Sequence, residues 1–148
     1  MQTKFKKTFF LLFLLFIFSS YYPTTDTTLK ITITNLRNNR GHVLISIFKD
    51  GVGYPDKPEI SFKRAKLSIS NKTAVFDFIG LPTGNYAIAI LHDENDDMKM
   101  NTNFFGIPKE GYGFSNNVMG TFGPPGYSKA SFNYTASTTA AISIKARY

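Results

Sequence analysis

After residue 28 apolar and polar positions alternate along most of the chain, and a period of two predicts strands. In Leu29-Lys30-Ile31-Thr32-Ile33-Thr34-Asn35-Leu36 every second side chain is apolar, so one face enters a core and the other meets water. Arg37–Gly41 is a turn whose Asn and Gly residues tolerate positive φ. Val43–Phe48 is a second, β-branched strand, and Lys49–Pro58 is a loop punctuated by Gly51, Gly53, Pro55 and Pro58. Phe62–Ile69 predicts a strand with an exposed basic face, and Ser70-Asn71-Lys72 turns the chain into Ala74–Phe78. Leu81-Pro82-Thr83-Gly84 is a tight turn: Pro pre-sets one corner and Gly frees the other. It leads to Tyr86–Leu91, apolar on both faces and therefore a central strand covered on two sides. Alternation returns at Ala130–Tyr134 and at Ala140–Tyr148, the last with Ile142, Ile144 and Ala146 inward. Seven short strands with turns between them predict an all-β fold of two packed sheets.

The alternation fails in two places. At the N-terminus Lys4, Lys6 and Lys7 precede an unbroken apolar run, Phe9–Phe18, followed by Ser19 and Ser20. A basic start, an apolar centre and small residues at its end form the pattern of a secretory leader. The run is too short for the ~20 residues of a membrane-spanning helix. Residues 1–20 are expected to be a signal peptide, 21–28 a polar linker and 29–148 a single domain. No clean small-x-small triplet precedes Tyr21, so the leader is either cleaved or kept as an anchor, the one membrane attachment this reading contains. Export to the periplasm, the cell surface or the medium follows.

The second failure is His92–Gly126, after the fifth strand. More than half of the eleven glycines fall between Gly106 and Gly126, with Pro108, Pro124 and Pro125. A segment of this length without regular structure is functional or disordered. Phe104, Phe105, Tyr112, Phe114, Phe122 and Tyr127 argue against disorder, which would leave all six rings in water. One long ordered loop over an end or edge of the sheets is expected.

Composition narrows the chemistry. There is no cysteine, so an exported domain of this size has no disulfide to supplement its core. Seventeen Lys and Arg against ten Asp and Glu give +7; three of the bases are leader lysines, and without them the charge is +4. The remaining bases are scattered apart from Lys63-Arg64 and Lys66, so no nucleic-acid footprint forms.

Three constellations carry candidate chemistry. Asp93, Asn95, Asp97 and Asn101, with the Lys99 carbonyl, match positions 1, 3, 5, 9 and 7 of a calcium loop, and alternate oxygens of a tight loop can converge on Ca²⁺. Against it, Met98 stands where the turn glycine belongs and Phe104 where the bidentate acid belongs. The competing reading, favoured for that reason, is a turn of Asp and Asn side chains bonded to their own backbone. His92 with Asp93 or Glu110 is the inventory of a hydrolase, but catalytic groups are recognised by geometry, and Ser115 stands outside any nucleophile-elbow motif. His42 is the only other histidine, which leaves zinc without a ligand set. Finally, the rings of Asn103–Tyr127 either seal the end of the core or present flat faces to a ligand.

Several stretches together resemble a family of exported bacterial proteins, domain of unknown function 2141: Gly80-Leu81-Pro82-Thr83-Gly84-Asn85-Tyr86-Ala87, His92-Asp93-Glu94-Asn95 and Asn101-Thr102-Asn103-Phe104-Phe105-Gly106-Ile107-Pro108-Lys109-Glu110-Gly111-Tyr112-Gly113-Phe114-Ser115-Asn116-Asn117. Phe122-Gly123-Pro124-Pro125 and the closing Tyr148 fit as well, while Met98 and Asn101 replace the family's usual Gly and Asp. The Leu-Pro-x-Gly-x-Tyr turn also looks like that of transthyretin-like and collagen-adhesin B-type domains. The resemblance implies export and a seven-stranded antiparallel Greek-key β-sandwich, prealbumin-like, with one long loop after the fifth strand. It implies no activity.

The expected function is a non-enzymatic domain that binds a ligand or envelope component through loop 93–127, ordered by Ca²⁺ if the metal reading holds. His92, Phe104, Phe105, Glu110, Tyr112 and Phe114 are its candidate contacts. A structural envelope module whose loop only seals the core, and a hydrolase using His92, Asp93 and Glu110, are the alternatives.

Overall fold

A computed structural model describes residues 27–137 and 139–148; the expected signal peptide and nearly all of the linker lie outside them. Eight strands follow in chain order: β1 Thr28–Thr34, β2 His42–Lys49, β3 Lys63–Leu67, β4 Ala74–Ile79, β5 Gly84–Asp93, β6 Gly111–Phe114, β7 Phe132–Tyr134 and β8 Ala140–Lys145. Helix is confined to single turns, the longest being α1 Tyr127–Ala130 among the described residues.

The strands form two sheets. One is ordered β4-β1-β8 and the other β3-β2-β5, with β6 and β7 sharing the far edge of β5 in succession. β6 pairs with Ala89–His92 and β7 with Gly84–Tyr86, so β5 is the central strand that its two apolar faces predict. Leu29, Ile31 and Ile33 of the first sheet pack with Val43, Ile45, Ile47, Tyr86, Ile88 and Ile90 of the second, all buried in one cluster. The opposite face of β5 is also covered: Ala87 packs with Phe114 and Ala130 under Tyr54 and Tyr127. At the start of β5 the Tyr86 hydroxyl donates to the Pro82 carbonyl at 2.8 Å, closing the Leu-Pro-Thr-Gly turn onto its own strand.

Two expectations are corrected. Among the described residues the strand count is eight, because Gly111–Phe114, expected to be loop, is β6. Its own alternation is aromatic–glycine, which carries a weak strand signal because glycine disfavours strands. The glycines are there for contact: a Cβ on Gly111 would lie 2.5 Å from the Tyr148 ring, and one on Gly113 2.7 Å from the Lys145 carbonyl. The sheets are also not wholly antiparallel, since β1 and β8 run parallel from Leu29–Ala140 to Thr34–Lys145. The whole domain serves as their connection, so no hairpin geometry restricts their direction.

Beyond β8 the C-terminus changes sheets. The Ala146 N–H donates to Thr34, but Arg147 exchanges two backbone hydrogen bonds with Tyr112 of the other sheet. The edge of β8 is occupied by the Asn117 side-chain amide, which donates to the Ser143 carbonyl and accepts from the Lys145 N–H as a neighbouring strand would. That protects an edge against foreign strands and delivers Tyr148 to the end of β5, beneath His92.

Candidate functional site

The segment from Asp93 to Glu110 begins as a strand and loses its period at a run of Asp and Asn. Side chains of this type bond nearby backbone N–H groups and compete with regular structure. Here they do so throughout. The Asp93 carboxylate accepts from the N–H groups of Asp97 (3.2 Å) and Met98 (2.9 Å). Asp97 accepts from the Lys99 N–H and from the side-chain amides of Asn95 and Asn101. Hydrogen bonds from Asn101 and Asn95 hold the Asp97 carboxyl below the usual aspartate range. The positive φ of Asp96 and Met98 accommodates the reversals that these bonds require.

Glu110 closes the far side. Buried immediately before β6, it accepts from the Glu94 N–H at 2.9 Å with one oxygen and from the Asn101 N–H at 3.0 Å with the other. One carboxylate thus ties both arms of the loop together, and a charged acceptor makes such bonds strong.

His92 is fully buried on β5. Its Nε2 lies 2.9 Å from the Arg40 carbonyl, an obligate acceptor, so Nε2 carries the proton. Nδ1 lies 2.6 Å from the Tyr148 hydroxyl, which in turn accepts from the Arg37 N–H at 3.0 Å. Every group in this chain has a partner. The Arg37 guanidinium sits 4.6 Å from the centre of the Tyr148 ring, and its Nη2 donates to the Lys109 carbonyl. The same nitrogen stands 2.6 Å from Glu94 Oε1, an ion pair by distance though off the line of a well-aligned hydrogen bond. Asn38 donates to the other Glu94 oxygen. Burial pushes the Glu94 carboxyl up, but the hydrogen bond from Asn38 and the close positive charge of Arg37 outweigh it, leaving the group below the ordinary glutamate range. Burial raises the Tyr148 phenol.

The turn before β2 fits against this loop through glycine alone. Gly41 has φ +63°, and a Cβ there would stand 1.9 Å from the Asp93 carbonyl oxygen. Nearby, His42 Nδ1 and Lys66 Nζ approach the same Asp96 oxygen at 2.6 Å and 3.1 Å.

At the tip the character changes. Thr102 bridges to Pro108, and the Lys109 N–H donates to Asn101, making a short hairpin. Asn103 organises its end: its side-chain oxygen accepts from Phe105 and Ile107, while its backbone bonds Gly106 and Ile107. On this rigid turn Phe104 is 97 % exposed, Phe105 82 % and Ile107 59 %. The two rings meet edge to face at 5.5 Å.

The residues singled out in the sequence therefore separate into two groups. Phe104 and Phe105 project into solvent. His92, Glu110 and Phe114 are buried and Tyr112 half-buried, the last two packed edge to face in the second cluster. His92, Asp93 and Glu110 do not form an open acid–base pair, because His92 bonds Arg40 and Tyr148 while both carboxylates take backbone N–H groups. Ser115 is buried too, its hydroxyl accepting from the Ile88 N–H and donating to the Ala130 carbonyl where β6 gives way to β7. For the calcium reading, Asp93 and Asp97 aim at N–H groups, and Asn95 and Asn101 donate their amides to Asp97. That is a self-capped turn; among the described residues no cluster of three or more His, Asp or Glu side chains stands where one ion could be shared. Arg37 and Asn38 escape sequence reasoning, and Tyr148 enters it only through the family resemblance, although all three hold the loop. Nothing local marks the two turn residues, and nothing local to Tyr148 points to the loop.

The family model of an uncharacterised protein conserved in bacteria, DUF2141, matches residues 31–142, from β1 through β8. The chain belongs to this family. The match contains both the buried carboxylates and the exposed tip, so the loop is part of the family domain. No curated protein and no solved structure shows a significant match.

Proposed function

We propose that this DUF2141 protein is an exported, non-enzymatic binding domain that meets its partner with loop 93–127, and that Phe104, Phe105 and Ile107 make the contact. One observation carries this reading: two phenylalanines stand in water on a turn whose backbone is bonded internally. Burying a large apolar side chain is worth about 1.5–3 kcal/mol, so leaving two adjacent ones exposed is a standing cost that a partner would remove. His92, Asp93 and Glu110 act beneath the tip as its fixed base. The strand order, with β2 beside β5 and β1 beside β4, supports a Greek-key, prealbumin-like description of the sandwich. Export rests on the basic and apolar pattern of residues 1–20.

Two experiments test the reading. Residues 1–28 fused to a reporter active only outside the cytoplasm should switch it on. The protein and its F104S/F105S variant, immobilised in equal folded amounts, should differ in what they retain from an envelope fraction. Equal retention would remove the tip from the function.

A further inference from the structure

The end of the sandwich that carries the tip is basic. Arg40, Lys99, Lys109 and Arg147 are all exposed there, and none forms an ion pair among the described residues. The neighbouring acids already have partners: Glu94 pairs with Arg37, Asp93 and Glu110 accept backbone N–H groups, the exposed Asp96 pairs with His42 and Lys66, and the exposed Asp97 accepts from Asn95, Asn101 and the Lys99 N–H. What this end offers a partner is an apolar knob with exposed cations at its base.

Building on the binding role proposed above, we propose that the partner is an anionic lipid bilayer surface, into which Phe104, Phe105 and Ile107 insert. Three features favour lipid over a protein groove. The knob is convex, a turn projecting from a hairpin. The amides of Asn103, Phe105, Gly106 and Ile107 all have acceptors within the turn, so the tip carries few unpaired donors into a medium that cannot bond them. The cations lie around the base, at the level of headgroups when the rings reach the acyl boundary, and each basic residue near an anionic surface strengthens attachment. Shallow insertion of a few apolar side chains with electrostatic support is how peripheral proteins hold membranes.

The chain contains no tryptophan, so Phe105→Trp in the full-length protein gives a single reporter at the tip. On phosphatidylglycerol-containing vesicles its emission should shift to the blue and be quenched by brominated acyl chains. A tryptophan in place of Ile79, exposed at the opposite end of the sandwich, should do neither, which separates tip insertion from attachment by the leader. Adding K99Q/K109Q to F105W should raise the lipid needed for half-quenching about tenfold or more, and high salt should act the same way. An unshifted tip tryptophan on these vesicles overturns the lipid assignment. If it then shifts with envelope proteins instead, the binding role stands and the partner is a protein. If it shifts on concentration without lipid, the partner is a second copy. If nothing shifts it and F104S/F105S retains the same material as wild type, the binding role falls as well.

Discussion

The base and the tip of one loop are built on opposite terms. Between Asp93 and Glu110 the base buries two carboxylates, and each of their oxygens receives a backbone N–H. Between them the tip exposes two phenylalanines whose rings meet edge to face. Burying charge is tolerable only when it is fully bonded, and exposing rings is tolerable only when something holds the turn that displays them. The base supplies that support. Stability belongs to the base and recognition to the tip, and the two should separate under mutation.

The sharpest blow to the base should come from Gly41→Ala. The new methyl would overlap the Asp93 carbonyl at a left-handed φ, and a loss of about 3 kcal/mol or more is expected in urea unfolding. Glu110→Ala should follow closely, costing about 3 kcal/mol because the buried N–H groups of Glu94 and Asn101 lose a charged acceptor. Glu110→Gln, which keeps one oxygen, should cost less. A loss below about 1 kcal/mol for the alanine variant would mean that the loop is not pinned there.

Next comes acid. The Glu94 carboxyl is held below its ordinary value when folded, so its contribution is complete above the unfolded glutamate pKa and disappears as pH falls through the folded one. Unfolding midpoints should drop over that acidic range, and Glu94→Gln should flatten this part of the profile while leaving neutral-to-alkaline behaviour unchanged. At the tip the expected effect nearly vanishes: F104S/F105S should change stability by no more than about 0.5 kcal/mol. A large loss there would turn the tip into structure and erase the comparison. Smallest of all, millimolar calcium should leave the melting temperature where it is, because the Asp93–Asn101 turn is bonded by its own amides; a rise by mass action would show that a cation displaces them.

Much of this fold is legible in a single strand of text. Leu29–Leu36 and Val43–Phe48 read as strands because alternate side chains face the core, and the double-sided apolar run Tyr86–Leu91 announces a central strand. β6 does not read this way, since its glycines answer to Tyr148 and Lys145 far along the chain. The loop shows the same division. Its Asp and Asn run announces a turn but fits a cation cage equally well, because both need oxygens at alternate positions. Only the direction of each donor separates them. The aromatic residues announce that rings matter without saying which face water: Phe105 and Phe114 are one residue type nine positions apart, the first exposed at the tip and the second buried in β6.

The sequence by itself determines what each residue can do with its neighbours: strand period, turn chemistry, a leader pattern, the absence of thiols, and family membership through a long, specific central block. Tertiary structure decides what depends on partners distant in the chain. It brings Tyr148 to His92, Arg37 to Glu94 and Glu110 to both arms of the loop, and so ties these side chains into one bonded base. The reason is that a carboxylate or imidazole has no fixed role of its own: its protonation, burial and usefulness follow from the groups that reach it.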